Sequence, residues 1–88
     1  MIIELKKFGD TLISRQAGRE ALAAFQPTLR SVNAAENIEI DFAGVLTLAP
    51  SWADEFITGL KKQFGDRIVL RTSDNLSVKA TLEILNKI

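Results

Sequence analysis

Ile38-Glu39-Ile40-Asp41-Phe42, then Ala43 to Pro50, then Ser51-Trp52-Ala53-Asp54-Glu55-Phe56 is the stretch whose reading decides the fold. Ile38, Ile40 and Phe42 alternate with Glu39 and Asp41, the period of a strand with one apolar face. Beyond a short loop, Trp52, Phe56, Leu60 and Phe64 recur every four residues with Ala53 and Ile57 beside them, which predicts a helix over about 51 to 64. Ser51 with Asp54 three residues on reads as a capping box. Asp54 and Glu55 near the start, and Lys61 and Lys62 near the end, complement the helix dipole. Gly65 is placed to terminate the helix.

Downstream, residues 67–71 read as a short apolar strand with charged ends and Thr72 to Asn75 as a turn. A last helix starts near 75 or 77, with Val78, Leu82 and Leu85 as its stripe, Ile88 following, and Ala80 and Ile84 off it. Upstream, residues 2–7 and 11–14 read as a hairpin turning at Gly9-Asp10, because Ile3 and Leu5 alternate with Glu4 and Lys6. Ser14 is a cap for a helix from Arg15, whose stripe is Leu22, Phe25, Leu29 and Val32. Pro27 inside it predicts a kink or break near Phe25-Gln26. The order ββαβαβα implies an α/β fold, a parallel or mixed sheet of about four strands with three helices, in a single domain over residues 1–88.

Composition narrows the chemistry. Eleven Lys and Arg balance eleven Asp and Glu, which gives no electrostatic reason to expect nucleic acid or an anionic membrane as partner. Without cysteine there is no disulfide, thiolate nucleophile or zinc-thiolate site, and a reducing, cytoplasmic setting fits. Without histidine the commonest general base and transition-metal ligand are missing. The five glycines are scattered and form no phosphate loop. The first residues do not read as a signal peptide, and no apolar run reaches a membrane span's length. The expectation is no cofactor, no metal and no catalysis.

Ligands of such sheets gather at the carboxyl ends of the strands, here the loop from Gly44 and the turn after Arg71. Leu46 and Leu48 are surface candidates on that loop. Trp52 is a hot-spot residue type but lies on the core stripe. Ser51 reads first as a helix cap and second as a phosphate acceptor beside Asp54 and Glu55. Capping and the helix dipole explain Asp54 and Glu55, Asp41 lies in or at the end of a strand, and nothing else in the loop supplies a further ligand or a nucleophile–base pair, so metal binding or acid–base catalysis is the weaker reading of the three. Arg15 and Arg19, one helical turn apart, read as a solvated face before they read as an acid-binding pair.

Ile40-Asp41-Phe42-Ala43-Gly44-Val45 followed by the helix from Ser51 resembles the STAS domain of bacterial anti-sigma-factor antagonists, where a strand ending in D-[LF]-x-G-V precedes a D-S-S/T-G stretch that opens a helix. Ser51-Trp52-Ala53-Asp54-Glu55-Phe56 makes the chain more similar still to short bacterial STAS-like domains of unknown function. The likeness covers essentially the whole chain. It implies a STAS-like fold and docking on a GHKL-type serine kinase or anti-sigma factor through the loop and the following helix. It also implies release by phosphorylation of a serine that falls on Ser51. The family's Asp falls on Ala49, its first serine on Pro50 and its glycine on Trp52.

The expected function is therefore non-catalytic protein binding in bacterial regulation, with Leu46, Thr47, Leu48, Ser51, Trp52 and Glu55 as contacts and Ser51 as the modification site. The alternative is a sensor for a nucleotide or metabolite. An enzyme ranks last. A homodimer through exposed apolar residues such as Ile84 stays open.

Overall fold

Among the described residues, no strand pairs with its neighbour in sequence. The computed structural model describes residues 1–87. In chain order the elements are β1 (Ile2–Glu4), β2 (Thr11–Leu12), α1 (Arg15–Leu29), β3 (Ile38–Asp41), β4 (Thr47–Leu48), α2 (Pro50–Ala53), a π turn (Asp54–Thr58), α3 (Gly59–Phe64), β5 (Ile68–Leu70) and α4 (Leu76–Asn86). α2, the π turn and α3 are continuous and are called the central helix. Single 3-10 turns, Leu5–Phe8 and Gly65–Arg67, follow β1 and precede β5.

One sheet has the order β1-β3-β5 and a second consists of β2 and β4, every pairing parallel. The expected hairpin is thus corrected: Ile3 pairs with Ile40 and Leu12 with Leu48. After Glu4 the chain tightens into the 3-10 turn, Leu5 drops fully into the core, and Gly9 at φ 127° redirects the backbone toward the second sheet. The topology becomes ββαββαβα, with five strands in two parallel sheets in place of one sheet of about four.

Ile3, Ile38 and Ile40 line the covered face of the larger sheet, fully buried, as the alternation predicts. The opposite row, Ile2, Glu39 and Val69, meets solvent, and Arg71 ties Glu39 (3.2 Å) to Asp41 (3.7 Å) there. α1 starts as expected, with Ser14 Oγ accepting from the Ala17 N–H at 3.0 Å. It crosses the central helix at backbone contact, since a Cβ on Gly18 would stand 2.6 Å from the Trp52 carbonyl oxygen. Phe8, Phe25, Trp52 and Phe56 cluster at this crossing, with Trp52 stacked on Phe56 at 4.9 Å.

Pro27 does not break α1, which continues to Leu29. Proline leaves only the Ala23 carbonyl without its helical donor. Ala23 is exposed, so its carbonyl is not left unpaired in the core, while buried Phe25 and Leu29 hold the helix down on both sides. The central helix begins at Pro50, one residue earlier than expected, with Ala49 as N-cap and no side-chain capping bond. Proline suits the first helical position because it has no N–H to leave unpaired there. The capping-box reading of Ser51 and Asp54 is therefore overturned. Gly65, at φ 58°, ends the helix as expected. Val78 is fully buried, Leu82 and Leu85 are half-buried against the core, and Ile84 is exposed; Ile88 lies outside the described residues.

Candidate functional site

Both loops at the strands' carboxyl ends, after β3 and after β5, meet at one side chain, Asn75. The first loop starts with an aspartate turn in which Asp41 Oδ1 accepts from the Ala43 N–H at 3.0 Å. Gly44 follows at φ 83°, and Val45 folds inward, donating its N–H to the Phe42 carbonyl. The Asn75 amide then donates to the carbonyls of Val45 and Leu46, both at 3.1 Å. Its own oxygen caps α4 by accepting from the Val78 N–H at 3.0 Å. On the other side the Asp10 carbonyl accepts from the N–H groups of Leu46 (2.7 Å) and Thr47 (3.1 Å).

β4 follows inside what the sequence suggested was only a loop. Its inner side pairs with β2, and its outer side is closed by α4. Ser77 Oγ accepts from the Leu48 N–H at 3.0 Å, and the buried Thr81 hydroxyl donates to the Leu48 carbonyl. The backbone from Val45 to Leu48 is thus held from two directions.

This backbone divides the expected contact residues. Leu46 is 63% exposed and Thr47 is also exposed, whereas Leu48 and Trp52 are each 1% exposed. The last two act as supports, and a partner on the native surface reaches them only through their neighbours. Ser51 is half-buried in the first turn of the central helix. Glu55 is bound by Arg15 (3.1 Å) and Arg19 (3.4 Å), and Asp54 by Arg15 at 3.0 Å. The Arg15 guanidinium holds both carboxyls below their ordinary range. The two arginines thus join α1 to the central helix across 36 to 40 residues of sequence, where the residues alone suggested a solvated face.

Sequence reasoning missed Leu76. It is 80% exposed at the start of α4, immediately after Asn75, so it stands at the same end of the molecule as Leu46. The available signal was an apolar residue directly after a cap-forming asparagine and off the Val78-Leu82-Leu85 stripe. Among the described residues, no three of His, Cys, Asp or Glu gather to hold a metal ion, and no helix is long and apolar enough to cross a membrane.

A family model described as the STAS-like domain of unknown function (DUF4325) matches residues 25–78. That span runs from the later turns of α1 through the pinned loop, the central helix and β5 to the first turn of α4. No curated protein and no solved structure matches the chain.

Proposed function

The chain belongs to the STAS-like domains of unknown function, and from that premise we propose that it is a non-catalytic module of bacterial regulation that binds another protein through the surface around Leu46, Thr47 and Ser51. The observation that carries this reading is a large apolar side chain, Leu46, 63% exposed on a loop fixed by Asp10 and Asn75. A single exposed leucine is ordinary. One held on a doubly pinned backbone, with Leu76 exposed beside the asparagine that pins it, forms an apolar contact that loses little conformational entropy on docking. Leu48, Trp52 and Glu55 support the surface from beneath and beside.

The partner of choice is a GHKL-type serine kinase or anti-sigma factor, and the setting the cytoplasm. Ser51 is its phosphate acceptor. It precedes Asp54 and Glu55 by three and four residues, on one helix face. A phosphate there would add charge beside carboxylates that already share Arg15, and would compete with them for the guanidinium.

Affinity capture from bacterial lysate, with and without ATP, tests this with parent protein, Leu46→Asp and Leu76→Asp as baits. The expected outcome is a specific ATPase or anti-sigma factor retained by the parent, lost with Leu46→Asp at unchanged melting temperature, and released with ATP as Ser51 gains a phosphate. Equal retention by both variants would remove this surface from the proposal. Release without modification of Ser51 would remove the switch and keep the surface.

A further inference from the structure

The far side of α4 faces a feature that the proposed docking surface does not use. A groove of about 790 Å³ runs between α3 and α4 beside the end of β5. Its floor is apolar, made by Ile57, Leu70 and Val78, and Leu82 and Leu85 continue that surface along α4. Each helical wall carries one lysine, Lys61 on α3 and Lys79 on α4, and neither has an acidic partner within salt-bridge distance among the described residues. Glu83 is the acid on the α4 wall, and the nearby Arg71 already serves Glu39 and Asp41.

The inner boundary of the groove is a strand edge. Arg71 donates its N–H to the Ile40 carbonyl at 3.0 Å, so alternation turns the main chain of Val69 and Arg71 toward β3 and that of Ile68 and Leu70 away from it. The Ile68 N–H turns back to the Gly65 carbonyl. The Leu70 N–H and carbonyl have no partner among the described residues, and β5 is the last strand of its sheet.

We propose that this groove binds an extended peptide segment of alternating apolar and acidic side chains, which adds to the sheet as a strand beside β5. The unpaired donor and acceptor of Leu70 match a peptide main chain, which an alkyl chain cannot satisfy. Alternate side chains of an added strand point to opposite faces. One set meets the apolar floor, and the acids of the other give the segment the negative charge that Lys61 and Lys79 on the two walls attract. The site is separate from Leu46, so Leu46→Asp leaves it intact.

The test is a titration of the isotope-labelled protein with a blocked peptide of alternating Val and Glu, about seven residues long, followed through backbone amide resonances. The expected result is a shift centred on Leu70 and Thr72, and roughly tenfold weaker binding in Lys61→Glu/Lys79→Glu at unchanged melting temperature. Two isomers of the peptide, N-methylated on alternate residues in opposite registers, separate strand pairing from side-chain adhesion. Pairing predicts that one binds and the other does not. Absence of shifts at Leu70 and Thr72 at about 1 mM peptide, or equal binding by both isomers, would overturn the proposal. Decanoate shifting these resonances where the peptide does not would reassign the groove to a small anionic amphiphile.

Discussion

The outer edges of β4 and β5 receive opposite treatment from the same helix. At β4, Ser77 and Thr81 stand four residues apart on one face of α4 and satisfy both main-chain groups of Leu48. At β5, the neighbouring face of α4 offers Leu82, Lys79 and Glu83, and Leu70 keeps an open edge beside a groove. An unpaired edge invites another chain, so proteins usually cover or charge it. The contrast assigns the two edges different tasks. The closed one fixes the loop that displays Leu46, and the open one leaves room for a strand from elsewhere.

Breaking the closed edge gives the largest effects. Asn75→Ala removes the α4 cap and both bonds to the Val45 and Leu46 carbonyls. We expect a loss of about 2 kcal/mol, read as a fall in melting temperature of roughly 8 to 16 °C. Thr81→Val keeps the shape but withdraws the hydroxyl from the Leu48 carbonyl. The expected cost is about 1 kcal/mol, or roughly 4 to 8 °C. If Thr81→Val melts with the parent, the closure of β4 is not a stabilising feature. The smallest effect lies away from both edges. Arg15→Gln releases Asp54 and Glu55, whose carboxyls return toward their ordinary values of 3.8 and 4.5. A depressed carboxylate adds stability above its unfolded value and loses it as the pH falls through its folded one. Arg15→Gln should therefore melt slightly below the parent at neutral pH, by less than either edge variant because these partly exposed charges are screened by solvent. The two melting curves should converge as the pH falls below those ordinary values.

The apolar alternation of Ile38, Ile40 and Phe42 and the four-residue spacing of Trp52, Phe56 and Leu60 were legible because each element carries its own burial pattern. The strand pairing was not. Ile3 and Leu12 look like arms of a hairpin locally, and nothing near them names Ile40 and Leu48 as their partners. Thr47-Leu48 is too short to show a period, and its strand character comes from the fit of Leu48 between β2 and α4. The helix start was misread because a serine followed by an acid outweighed Pro50, whose preference for the first helical position was the better signal. Asp54 found its partner in Arg15 on α1, a pairing that depends on how two helices cross. Of the contact surface, Leu46 and Thr47 were legible as loop residues. Leu48 and Trp52 were not separable from them until burial was known, and Leu76 required sight of Asn75 bridging two loops.

The parallel registers also set an order of events during synthesis. A hairpin would let the first strands settle while the chain is still short. Here Ile3 waits for Ile40, Leu12 waits for Leu48, and β5 joins last onto β3. Each pairing closes a long loop before any contact compensates for it, so this protein should fold more slowly than a helical bundle of its size. While it emerges from the ribosome, its amino-terminal apolar residues, Ile2, Ile3 and Leu5, have no strand to pair with. For that interval the nascent chain is exposed to chaperones, or to the same segment of a neighbouring polypeptide.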